Sequence, residues 1–345
     1  MKKKVLVIAT SRNTKGGITS VIEAHEAGEQ WKRFCCKWIQ THKDGNCFIR
    51  IFYFIRAFIC FMFYLPFYDI VHIHLSSTTS AIRKTFFFLL SWMLGKKIIL
   101  HFHAFSLESS IQRMPKLYRF LFLHSDIVLV LSAYWKEVIK ENIGRKCNVD
   151  ILFNSCPTVN RNISRNASVK YILYAGAICA RKGYLDLINA FAQIAHRYPD
   201  WKLYFAGNGT IDEGIEQVRN QGIESQVIFL GWINGETKET IFRNASIFCL
   251  PSYAEGFPMA ILDAWAYGLP VITTPVGGIP DIADDGKNML LFNPGDIDKL
   301  VEQLERMIID KVLRDQISDA SNILAKTIFN IDVVNSQLAS IYSSL

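Results

Sequence analysis

The chain has 345 residues, half of them apolar and 20% charged. That is too hydrophobic for disorder and too long for one ordinary core, so two domains are expected. The net charge of +7 conceals an asymmetry, with 24 Lys+Arg against 10 Asp+Glu in residues 1–165 and 14 against 21 in residues 166–345. The eight cysteines show neither CxxC pairs nor His/Cys ligand spacing, a pattern of free thiols in a reducing cytosol.

In chain order, "KKVLVIAT" (3–10) reads as a first strand, its apolar run of about six residues being too short for a signal peptide. "TKGGITSVIEA" (14–24) follows and opens a helix. Gly16 and Gly17 allow a ligand close to the backbone, and the helix start offers N–H groups to an anion. A plain tight turn explains the same residues. The stretch "CFIRIFYFIRAFICFMFYLPFYDI" (47–70) nearly reaches bilayer length, but Arg50 and Arg56 interrupt it and Pro66 closes it. A buried or interfacial helix is expected rather than a span. Basic charge beside exposed aromatic surface suits an anionic membrane face or a phosphate-bearing acceptor. Nucleic acid is not expected as a partner, since no motif for it occurs. A solvated basic surface over a buried helix is the competing reading.

Strand patterns follow at "DIVHIHL" (69–75), "KKIILHFHA" (96–104), "DIVLVLSA" (126–133) and "VDILFN" (149–154), with helical patterns between them. Such alternation predicts a parallel sheet covered on both faces. Period-two alternation puts His72 with His74, and His101 with His103, on common faces. No carboxylate stands nearby at ligand spacing, so no metal is expected. His103 at a strand end is read as a hydrogen-bond donor facing a cleft. The polar segment 155–170 has a linker's composition.

The rhythm then restarts, with strands at 170–177, 201–207, 226–232, 246–252, 270–274 and 289–292. Leu185, Ile188, Phe191 and Ala195 recur at helical spacing. "YAGAICARKGYLDL" (174–187) places Arg181 and Lys182 just before a helix, where cations oppose the helix dipole and an anion is expected. Two exposed basic residues are the alternative. "FAGNGT" (205–210) adds Gly207 and Asn208 as flexible backbone donors. In "SYAEGFPMAILDAWAYGLPVIT" (252–273), Gly256 permits a tight turn and Pro258 suits the first helical turn. The Gly256 and Phe257 N–H groups are expected to point outward. Glu255 and Asp263 then fall at different depths of one pocket and suit two hydroxyl clusters of an elongated ligand. A carboxylate stabilising the helix dipole is the simpler reading of Glu255.

These residues resemble the retaining glycosyltransferases of family 4, which have the GT-B fold of two Rossmann-like domains with parallel sheets facing a cleft. "EGFPMAILD" with "YGLPVITTPVGGIPDI" looks like the family's Glu-x7-Glu motif and the loop after it. "GGI" (16–18), "HFHA" (101–104), "ARKG" (180–183) and "AGNG" (206–209) stand in the expected order. The resemblance implies retaining transfer of a sugar from a nucleotide-sugar to a hydroxyl, without metal or other cofactor, UDP-sugars being commoner than GDP-sugars. By carry-over Glu255 contacts the donor sugar, Asp263 the ribose, and Lys182 with Arg181 the diphosphate. Gly16 and Gly17 cover the phosphates, His103 binds the transferred sugar, and Phe257 and Pro258 position backbone near sugar and phosphate. Asp263 replaces the usual Glu, and Ala177 a frequent Arg.

The expected domains are 1–165 on the acceptor side and 166–330 on the donor side, with a helix at 331–345 packing back on the first. The acceptor is expected to be a glycan or a polyprenyl-diphosphate-linked glycan in bacterial cell-surface polysaccharide synthesis. The expected location is cytoplasmic, peripheral at the inner face of an anionic membrane. A non-catalytic nucleotide-sugar-binding subunit, or another GT-B enzyme such as an epimerase or phosphorylase, is the competing reading.

Overall fold

The computed structural model describes residues 3–14, 16–103, 107–159 and 169–345. The chain divides into two compact units, Met1–Ser155 with Asn330–Leu345, and Cys156–Phe329. The expected boundary at 165 and most of the linker 155–170 lie outside the described residues.

The first unit runs β1 (Val5–Ala9), α1 (Gly17–Glu26), α2 (Glu29–Arg33), β2 (Lys37–Gln40), α3 (Cys47–Tyr64) and β3 (Ile70–Leu75). It continues with α4 (Thr78–Met93), β4 (Lys97–Phe102), α5 (Leu107–Arg113), α6 (Pro115–Leu123), β5 (Ile127–Val130), α7 (Ala133–Asn142) and β6 (Val149–Ile151). All pairings are parallel, in the order β2-β1-β3-β4-β5-β6. The sequence did not announce β2, whose "KWIQ" is short and only Ile39 of it is buried. Parallel strands need apolar groups on both faces, and the runs supply them. One face packs Leu6, Ile8, Val71, Ile73 and Leu100 with Phe61, Phe87 and Phe122. Burying each such side chain stabilises by roughly 1.5–3 kcal/mol.

Helix α3 is not the buried helix of one sequence reading. Only Ala57 and Phe61 of it are buried, and Phe54 and Phe58 pack partly against the core. Phe48, Phe52, Ile55, Ile59 and Phe63 are exposed. Among the described residues it is the one helix long and apolar enough to cross a membrane, and most of it is not buried.

The second unit runs β7 (Lys170–Ala175), α8 (Tyr184–Ala195), β8 (Trp201–Ala206), α9 (Ile211–Asn220), β9 (Val227–Gly231), α10 (Gly235–Asn244) and β10 (Ile247–Leu250). It closes with α11 (Met259–Ala266), β11 (Val271–Thr273), β12 (Leu290–Leu291), α12 (Ile297–Ile309) and α13 (Lys311–Lys326). In α8, Ile188, Phe191 and Ala195 are buried as their spacing predicts, but Leu185 is half-buried and Tyr184 turns inward instead. The sheet order is β12-β11-β10-β7-β8-β9, again all parallel. Strand order therefore reverses between β7 and β10. In such sheets the connections leaving the strands part at this point and open a crevice beyond the carboxyl ends.

The last helix, α14 (Ile331–Ser344), belongs to the first unit. Val334, Leu338, Ile341 and Tyr342 pack with Val5, Val7, Ile99 and Leu129 on the other face of that unit's sheet. Phe34 meets Tyr342 edge to face at 5.3 Å, and Gln337 Nε2 donates to the Ile151 carbonyl.

Candidate active site

In the second unit the loops after β7 and β10 flank the switch point, and together they carry Arg181, Lys182 and Glu255. The loop after β7 ends in a single 3-10 turn, Ala180–Lys182, and then Gly183 in the left-handed region at φ +66. A Cβ at Gly183 would stand 1.9 Å from the Pro251 carbonyl oxygen, so the position admits only glycine. The Tyr253 N–H donates to the Arg181 carbonyl at 2.8 Å, tying the two loops together.

Glu255 is 5% exposed and would be untenable there as a lone charge. The Lys182 ammonium donates to its Oε1, and the Ser252 hydroxyl donates to the same oxygen at 2.6 Å. The Arg181 guanidinium stands 3.9 Å from Oε2 and donates to the Ala254 carbonyl at 2.6 Å. The anion expected beside Arg181 and Lys182 is therefore present in the protein itself. The loop after β11 closes the arrangement. Gly277 has φ +61, and a Cβ there would lie 1.9 Å from the Glu255 carbonyl oxygen. The Gly278 N–H donates to the Gly256 carbonyl at 2.8 Å.

One expectation around "EGFP" changes. Pro258 is the residue before the helix rather than in its first turn, with ψ 114. Phe257 is 5% exposed, and its ring stacks at a tilt on Phe329 with centroids 5.4 Å apart. Gly256 is likewise buried, so this turn is anchored in the core. Asp263 lies in the second turn of α11, half-buried, and Lys238 of α10 donates to its Oδ1 at 2.7 Å. Burial raises the Asp263 pKa, and the Lys238 charge and hydrogen bond oppose that rise.

Gly207 is not the flexible donor that its sequence suggests. Its N–H donates to the Gly231 carbonyl at 2.8 Å, and a Cβ on it would stand 1.8 Å from the Gly176 carbonyl oxygen. Its glycine identity serves the close approach of the loops after β7 and β8, which also pair through Ile178 and Gly209. Asn208 is exposed, and its carbonyl accepts from the Ile178 N–H.

Gly16, Gly17 and His103 belong to the first unit. Gly16 precedes α1 without a capping side chain, both glycines are exposed, and a Cβ at Gly16 would meet nothing. His103 follows β4 at the carboxyl end of the sheet, where its ring shares a 2.9 Å hydrogen bond with His74 Nδ1. Burial, with the His25 and Lys84 charges in support, pushes the His103 pKa down to about 3, so it is a neutral ring at pH 7. Ala104, in the same quoted stretch, lies outside the described residues.

Sequence reasoning missed Lys238 and Ser252. Lys238 stands on another helix, and no local spacing relates it to Asp263. Ser252 carries no signal of its own in the sequence, and only the turn that brings it back over Glu255 gives it a role.

Residues 158–322 match the family described as "Glycosyl transferases group 1". An uncharacterized glycosyltransferase of Haemophilus influenzae is 28% identical over 197 residues, 56% of this chain and 54% of that protein. A lipopolysaccharide 1,6-galactosyltransferase of Salmonella typhimurium is 29% identical over 195 residues, 55% of this chain and 54% of that protein. The chain thus spans about half the length of these two relatives. The Anabaena protein Alr3699/HepE, solved with UDP and glucose, superposes with a TM-score of 0.79 at 18% identity, covering 99% of this chain and 100% of that one. Two parallel six-stranded sheets in two units, together with the superposition on Alr3699/HepE, give the chain the GT-B fold.

Proposed function

We propose that the chain is a retaining glycosyltransferase that moves a sugar from a nucleoside-diphosphate sugar to a hydroxyl of a glycan or lipid-linked acceptor. The observation that carries this reading is the Lys182–Glu255 pair at the strand switch point of the unit matching the group 1 family. The bond from the anomeric carbon to the diphosphate oxygen breaks, and the acceptor oxygen bonds to the anomeric carbon as its proton passes to the departing diphosphate. Charge develops on the departing diphosphate, where Lys182 and Arg181 stabilise it. Glu255, held rigid by Ser252 and Lys182, accepts hydrogen bonds from the donor sugar's hydroxyls. Asp263, kept with Lys238, takes the ribose diol directly or through a water. The exposed start of α1 at Gly16–Gly17 offers N–H groups to the phosphates. His103 serves the transferred sugar. The transfer needs no metal, and a UDP-sugar is the favoured donor, a choice that Alr3699/HepE, solved with UDP and glucose, supports.

Glu255→Ala should keep nucleotide binding, read as a thermal shift with UDP, yet lose at least about a hundredfold in UDP release from UDP-sugars with acceptor. Wild-type turnover in both Glu255→Ala and Lys182→Ala would end the proposal. NMR of the anomeric proton decides between retention and inversion.

We further propose that the first unit works at the inner face of a bacterial membrane, on a polyprenyl-diphosphate-linked glycan of a surface polysaccharide. The exposed apolar side of α3 and the excess of basic residues support this. Flotation with vesicles containing anionic phospholipid should carry the protein up, and Phe52→Glu with Phe63→Glu should keep it at the bottom. Equal flotation of both proteins would refute the surface.

A further inference from the structure

On the face of the first sheet that α14 covers, β3 and β4 bring His72, His74 and His101 together, all fully buried. Register explains the cluster, since His74 pairs directly with His101 and His72 lies two residues earlier on the same face. One ring nitrogen from each of the three lies within 4.8 Å of those of the other two. Among the described residues, His72 Nε2, His74 Nε2 and both nitrogens of His101 are buried without a hydrogen-bond partner. Each such orphaned polar atom costs about 1–3 kcal/mol, so three rings facing one another this way need an occupant.

The opposite ring nitrogens show what kind. His72 Nδ1 meets the Tyr342 hydroxyl at 2.7 Å, and His74 Nδ1 meets His103 Nε2 at 2.9 Å. A metal-bound histidine typically uses one nitrogen as ligand while the other donates its N–H to a neutral or anionic acceptor. Here each Nδ1 has a partner able to accept its proton, and both Nε2 atoms are without one.

We propose that His72, His74 and His101 form a buried three-histidine site for a borderline divalent transition-metal ion such as zinc. Imidazole donors without thiolate or hard oxygen favour zinc, cobalt, nickel or copper over calcium or magnesium. Metal–nitrogen bonds of about 2.1 Å set tetrahedral ligand atoms roughly 3.4 Å apart. The His72 ring stacks on His74 with centroids 4.3 Å apart and on His101 at 5.4 Å, so binding turns the rings edge-on to the ion by side-chain rotation. Water or hydroxide completes the fourth position, since no carboxylate of the described residues joins the cluster. The ion ties β3 to β4 and, through Tyr342, to α14. It also fixes a tautomer, because His74 then donates from Nδ1 to His103 Nε2 and leaves the His103 proton on Nδ1. The site shares no residue with the proposed transfer and bears on it only through the His103 tautomer.

Cobalt(II) added to the chelator-treated full chain is the test. The expected result is a tetrahedral visible absorption band saturating at about one cobalt per chain, with a raised melting temperature. His101→Gln should weaken cobalt at least about tenfold, Tyr342→Phe by about tenfold, and the exposed-site control His124→Gln not at all. A folded wild-type chain with no such band overturns the site, as does unchanged affinity in His101→Gln. Should that variant not fold, unchanged affinity in Tyr342→Phe overturns it instead.

Discussion

The two units bury their polar groups in opposite ways. The first holds imidazoles inside strands, facing one another with no carboxylate in their cluster, although by sequence that unit carries 22 Lys+Arg against 11 Asp+Glu. The second holds two carboxylates past its strands or on a helix, each beside a lysine, Glu255 with Lys182 and Asp263 with Lys238. The physical reason is protonation. A buried imidazole sheds its charge at little cost, and burial does lower the pKa values of His72, His74 and His101. A carboxylate that must stay ionised for a ligand has to bring its counter-charge with it.

The strongest way to break that comparison is to strip one member of the buried ion pair. Glu255→Leu leaves the Lys182 side chain, 12% exposed, without its counter-charge, and should lower stability by about 3 kcal/mol in urea unfolding. The double variant Glu255→Leu/Lys182→Met should recover most of it, because the uncompensated charge is gone. A double variant as unstable as the single one would show that the pair is not what makes burial tolerable. Next in size is Gly277→Ala, where φ +61 and the approach to the Glu255 carbonyl should cost about 2 kcal/mol and weaken UDP binding together.

The contrast is sharpened in the first unit by Tyr342→Phe, which removes the partner of His72 Nδ1 and should cost about 1 kcal/mol in metal-free protein. The smallest effect concerns Asp263. Its folded pKa is raised, so the native state binds the proton more tightly than the unfolded chain does. The cost of ionising it is fully present above the folded pKa and is relieved as pH falls through that value. Asp263→Asn should remove this slope from stability measured just above the ordinary carboxylate range, by less than about 1 kcal/mol. Lys238→Met should move the Asp263 titration further up, which carboxyl NMR reads directly.

Much of the scaffold was legible in the residues. Continuous apolar runs such as "VLVIA" and "IVHIHL" cannot be satisfied except between two layers of helices, and they form β1 and β3. The order of "ARKG", "EGFP" and the Gly-Gly loop gave the candidate site its chain positions, since each follows a strand and all strands are parallel. The reading failed where a residue's role depends on what lies across from it. Gly207 looked like a flexible donor and is a contact point between loops, because only the fold sets Gly176 against it. Helix α3 read as buried or interfacial, and its mostly exposed side follows from the sheet face being filled by Phe61, Phe87 and their neighbours.

The sequence by itself determined the alternation of strands and helices, the split of charge between its halves, and the placing of Glu255 and Lys182 just beyond strands. These are local properties of hydrophobic period and turn chemistry. Only the tertiary structure decided that Lys182 meets Glu255, that Lys238 takes Asp263, and that three histidines from two strands share one buried face. Pairing across 73 residues, as for Lys182 and Glu255, is fixed by strand order and register, which no single stretch of chain encodes.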